Sequence, residues 1–159
     1  MIYKAAQYLL LAGQKSLDRY ALDATQRYYE QAYAMLTGGQ IEESPEMRHL
    51  LLDLLHHTGF PYYYQSRFVD LADLLKRHEP MAEAELDQGR KGQFFAWQGF
   101  AFWGSGHLRD SRRYMHKAIA IAEASGDQYV IAFASCWLSF AEADLGNIAE
   151  GIATAQRAH

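Results

Sequence analysis

The sequence predicts an all-α fold, a solenoid of about four stacked helix pairs. Three observations predict it. The segments between breaks are rich in Ala, Leu, Glu and Gln, which form helices well, and none shows the clean alternation of a strand bounded by hairpin turns. Pro45, Pro61 and Pro80 sit at segment edges, where proline starts a helix. Gly38-Gly39, Gly59, Gly106, Gly126 and Gly146 follow apolar-periodic runs and stop them. Tight turns centred on Tyr20, Gly59, Gly106 and Gly146 recur at a spacing of roughly 40 residues, as in helical repeats. One helix pair cannot cover its own apolar face, so each pair stacks on the next.

Taken in order, the expected helices span 2–19, 21–37, 45–58, 61–77, 81–104, 107–125, 127–145 and 147–158. They form pairs over 2–37, 45–77, 81–125 and 127–158 within a single domain spanning 1–159. Gly89 and Gly92 are the points at which the fifth helix would break. The last helix runs to the C-terminus with no polar cap, which reads as an array cut from a longer protein.

Composition sets the function classes. Half of the 159 residues are hydrophobic and 14% are aromatic, which supports a packed core and excludes intrinsic disorder. A net charge of −4 argues against a sequence-independent nucleic-acid binder, which needs a basic footprint. The apolar run Tyr8 to Ala12 is too short to span a bilayer and lacks the pattern of a signal peptide. Cys136, the single cysteine, forms no internal disulfide; its apolar context reads as an inert, buried thiol. The chain reads as cytoplasmic, with no membrane and no nucleic-acid partner.

The pairs share a small-large pattern. It is clearest in Phe95-Ala96-Trp97-Gln98-Gly99-Phe100-Ala101-Phe102-Trp103, followed by Gly106, Leu108, Tyr114, Met115, Ala118 and Ile119. Small residues let two antiparallel helices close up while large ones fill the groove. The pattern resembles the tetratricopeptide repeat, with Phe95, Gly99, Phe102, Gly106, Tyr114 and Ala118 in the expected places. Ser111, Ser139, Glu142 and Asp53 depart from it, and the period is longer than the family's. Longer repeats of this kind resemble those that follow AAA-type ATPase modules in bacterial adenylate or guanylate cyclases and related transcriptional regulators. Tyr8 through Ala32 and Ala118 through Asp127 carry that comparison. The resemblance implies a right-handed superhelix and a non-catalytic interaction module in a signalling protein.

By the same resemblance, the inner groove of such an array is lined from the first helix of each pair. Those positions are Glu46, His49, Asp53 and His56; then Gln93, Ala96, Phe100 and Trp103; then Phe133, Cys136, Phe140 and Ala143. Within them, His49, Asp53, His56, Gln93, Phe100, Trp103, Phe133 and Phe140 are the candidate partner-binding residues. The competing reading of Phe100, Trp103 and Phe140 is ordinary core. His49, Asp53 and His56 share one helix face at i, i+4 and i+7, a set able to hold zinc; the plainer alternative is a solvated face, with His57 turned toward a neighbouring helix.

Tyr62-Tyr63-Tyr64 cannot all face one way on a helix, so at least one is expected at the surface. Arg109, Arg112, Arg113, His116 and Lys117 read either as an attractor of acidic partners or as a solvated outer face.

Enzyme signatures are missing. The sequence has no phosphate-binding Gly-x-x-x-x-Gly-Lys-Ser/Thr loop, Gly104-Ser105-Gly106 follows no strand, and Glu83 and Glu85 diverge on a helix. The expectation is therefore a protein or peptide partner, or neighbouring domains of the same chain, with no cofactor. A small-ligand sensor and a metal-dependent activity at the His/Asp cluster are the alternatives. A homodimer through the exposed end of the array is a further expectation, with Trp137 and Ile148 as its test positions.

Overall fold

The computed structural model describes residues 2–38 and 44–157. It is all-α: among the described residues there are eight helices and no strand. Gly39, Ala158 and His159 lie outside the described residues. The chain divides into two compact units, Met1–Gln65 and Ser66–His159.

The first unit holds α1 (Ile2–Leu17), α2 (Leu22–Thr37) and α3 (Pro45–Tyr64). Ala6, Leu10 and Gly13 recur at i, i+4 and i+7 and form the buried stripe of α1, while Tyr29, Ala32 and Leu36 supply that of α2. At their crossing, Gly13 faces the Tyr29 ring so closely that a Cβ there would fall inside it. The turn between them holds Tyr20 at φ 55°, a left-handed conformation unusual for a residue with a side chain. α3 packs on both, burying Leu50, Leu51, Leu52, Leu54 and Leu55. Its start follows local rules: Pro45 occupies the first turn, and the Ser44 hydroxyl accepts a hydrogen bond from Met47 N–H at 3.2 Å.

Two expected helix starts are corrected. Gly59 is not a turn and Pro61 does not begin a helix; both lie buried within α3, which runs on to Tyr64. An interior proline forfeits one backbone hydrogen bond. The buried face nevertheless continues through Thr58 and Pro61, and the end is closed by Gln65 N–H on the Pro61 carbonyl at 3.1 Å. Pro80 likewise lies inside α4 (Phe68–Glu83). The expected fifth helix therefore begins at Gln88, not at residue 81, and neither Gly89 nor Gly92 breaks it. The actual break is the 84–87 segment. There the Glu85 carboxylate accepts from the Leu86 and Asp87 amides, and Asp87 caps α5 (Gln88–Gly104) by accepting from Arg90 N–H. The segment expected as one pair over 45–77 is thus shared between the units, with α3 in the first and α4 in the second.

The second unit continues with α6 (Leu108–Ser125), α7 (Gln128–Asp144) and α8 (Ile148–Arg157). Each helix packs on its sequence neighbour, and α5 also packs on α7. The residues that carry the small-large pattern meet here. Phe95 and Phe102 both stack on Tyr114, at 6.0 and 5.3 Å between centroids, and Gly99 admits Met115, whose Cγ would lie 2.9 Å from an added Cβ. At the next crossing, Gly151 fits against the Ser139 carbonyl.

Glu142 replaces an aromatic of the pattern and is fully buried. Its carboxylate pairs with Arg112 Nε at 2.7 Å and accepts from Asn147 Nδ2 at 2.7 Å. No helix among the described residues is long and apolar enough to cross a membrane.

Candidate functional site

The site begins with the apolar sequence of α7, which serves two faces. Val130, Ala134, Leu138 and Ala141 are buried and form the inward one. Tyr129, Phe133, Trp137 and Phe140 form the other at i, i+4, i+8 and i+11. Tyr129 and Phe140 are 52% and 50% exposed, and Phe133 and Trp137 are half-buried. Because α5 lies against α7, its C-terminal Trp103 joins this face, 4.8 Å from Trp137 and 6.1 Å from Phe140 between centroids.

The rings are braced from beneath. Phe100 contacts Trp137 at 4.5 Å, and Trp97 contacts Phe133 at 5.3 Å; both supporting rings are almost wholly buried. Phe68 of α4 meets Phe100 at 5.5 Å and Trp103 at 6.4 Å, in space that exists because Gly104 has no side chain. At the edge, Trp103 Nε1 donates to Asp144 Oδ2 at 2.9 Å, which fixes the indole plane and sets a carboxylate beside the aromatic surface.

The expected site residues fall as follows. Trp103, Phe133 and Phe140 come together on this face, and Gln93 is half-buried in the first turns of α5. Phe100 is corrected from groove lining to core, since at 1% exposure no partner reaches its ring. Cys136 is corrected from a buried thiol to an exposed one, because it lies on α7 away from the inward face.

His49, Asp53 and His56 are half-buried on α3 in the first unit. Among the described residues no three His, Cys, Asp or Glu side chains are placed to hold a metal ion. His56 packs edge-on to Phe60 at 5.7 Å. His57 is the one turned toward a neighbouring helix, with its Nε2 2.7 Å from Gln14 Nε2.

The basic stretch of α6 is largely engaged within the second unit. Arg112 pairs with Glu142, Arg113 with Asp110 and Lys117 with Glu83, and Lys117 also sits over the Phe95 ring at 3.8 Å. At α8, Ile148 and Ile152 are each more than half exposed.

Tyr129 and Trp137 were missed as site residues. The groove register borrowed from the repeat family selects Phe133, Cys136, Phe140 and Ala143, whereas the aromatic face runs through 129, 133, 137 and 140. The signal was present as four aromatics at helical spacing.

Fold and site together define an all-α protein whose second unit presents an aromatic face. No protein-family model matches the sequence, and no curated protein matches it.

Proposed function

We propose that this chain is a non-catalytic interaction module, a right-handed superhelix of tetratricopeptide-like pairs. It binds an apolar or aromatic segment of a protein partner, or of a neighbouring domain, on the face made by α5 and α7. The observation that carries the reading is the row Tyr129, Phe133, Trp137 and Phe140 with Trp103: five large rings braced from below, Tyr129 and Phe140 exposed and the other three half-buried. Rigid aromatics are the side chains that most often anchor protein interfaces, because they bury large areas at low entropic cost. Affinity then comes from a few such anchors and not from area.

The stacked order of α5 to α8, the Gly99–Met115 approach and the Phe95–Tyr114–Phe102 stack support the repeat reading. The resemblance of Tyr8 through Ala32 and Ala118 through Asp127 to repeats in ATPase-linked cyclases and regulators supports a signalling parent acting in the cytoplasm.

The test is affinity capture with the wild-type chain and with Phe140→Asp, using Lys4→Ser as a control. Captured candidates are then purified and titrated against the chain. The expected partner is lost with Phe140→Asp, kept with Lys4→Ser, and shifts the emission of Trp103 and Trp137 on binding. A partner held equally by all three chains overturns the assignment of this face.

A further inference from the structure

The first unit carries a second concavity that the aromatic face does not use. It is an open cleft of about 620 Å3 lined by Gln14, Leu17, Asp18, Tyr20, His57, Phe60 and Tyr64. We propose that this cleft binds an organic cation, a guanidinium or methylated ammonium group.

Three features argue for a cation. The walls are aromatic: Tyr20 and Tyr64 meet edge-on at 6.0 Å and 74°, which makes a corner of ring faces, and Phe60 adds a third ring. Such faces attract weakly hydrated cations through their quadrupoles. The Asp18 carboxylate lines the same cleft and takes part in no ion pair among the described residues. Finally, α1 ends at Leu17 and α3 at Tyr64, so both helices bring their C-terminal, partially negative ends to this place.

The other polar lining groups do not oppose a cation. Burial lowers the His57 pKa, against a smaller raising effect of Asp53, so the ring is neutral near pH 7 and can accept from Gln14 Nε2. Lys15 and Arg19, the nearest basic residues in sequence, are exposed and do not line the cleft. Tyr20 itself is held at φ 55°, with its ring 73% exposed.

The test is an amide chemical-shift titration of the full chain at constant ionic strength. Choline and N-methylguanidinium are the two cationic probes, and 3,3-dimethylbutan-1-ol is the neutral shape-match of choline. Saturable shifts at Asp18, Tyr20, His57 and Tyr64 are expected. At least one cation should bind about tenfold more tightly than the neutral probe. The tighter cation tells whether an arginine-like or a quaternary ammonium group is the natural occupant.

Asp18→Asn should weaken that cation about tenfold with the spectrum otherwise unchanged. Tyr20→Gly, which removes the ring and relieves the backbone, and Tyr64→Ala should each weaken it as well. Equal binding of the neutral probe, shifts that never saturate, or an Asp18→Asn chain that binds as well as the wild type overturns the proposal.

Discussion

Arg112 and Glu142 show how much a single buried charge asks of its surroundings. Glu142 has no exposed side-chain surface, whereas Arg112 is 48% exposed, so the two partners are not equivalent. Removing Arg112 leaves a carboxylate in the interior with Asn147 as its remaining hydrogen-bond donor. Arg112→Met is therefore expected to destabilise the chain by about 1–3 kcal/mol, a range reduced for solvent screening at the arginine. Glu142→Gln keeps the volume and an acceptor, and should lose less. Urea denaturation of both variants decides the order; a greater loss for Glu142→Gln would contradict it.

His57 makes the opposite kind of demand, for neutrality. Because burial lowers its pKa below the usual 6.5, the unfolded chain takes up its proton first. Stability from this group is complete above pH 6.5 and falls as the pH drops toward the folded-state pKa. His78, lowered by burial and then by Arg77, acts in the same direction. The urea midpoint should fall from pH 7 to pH 5, and His57→Gln should show a smaller fall. An equal fall in both chains would place the effect elsewhere.

At the scale of the element, close approach is what the small residues provide. The Gly13–Tyr29 crossing of α1 and α2 has no space for a methyl group. Gly13→Ala has a better intrinsic helix propensity, so on an isolated helix it would stabilise. Here the ring and its helix have to shift, and the variant is expected to lose about 1–3 kcal/mol by overpacking. A gain in thermal denaturation would show that the crossing yields at little cost.

The same scale explains the errors at Pro61 and Pro80. Local rules read proline as a start signal, and at Pro45, where Ser44 supplies the cap, they read it correctly. At the other two positions the helix continues because its buried side continues, with Pro61 buried in α3 and Ala82 buried just beyond Pro80 in α4. Sequence spacing gives no measure of that burial.

At the scale of the molecule, the 66–159 unit holds the aromatic face and its bracing rings, with Phe95, Phe100, Leu71, Leu75, Met115 and Leu138 fully buried within it. A fragment of residues 66–159 is expected to fold alone. Its helical circular dichroism should melt cooperatively, and near-ultraviolet signals from Trp97, Trp103 and Trp137 should be retained. A broad, non-cooperative melt would show that this core needs the other unit.

What the sequence determined by itself is the helical class, the helix start at Pro45, the stop at Gly126, and the small-large pairing that brings Gly99 to Met115. These are short-range matters of propensity, backbone freedom and spacing along one helix or between neighbours. Only the tertiary structure decided which apolar face of α7 goes inward, that Phe100 braces while Phe140 protrudes, and that Asp18, Tyr20 and Tyr64 share a cleft with His57. Each of those depends on which surfaces cover one another, and an apolar residue satisfies helical periodicity equally well on a covered face and on an open one.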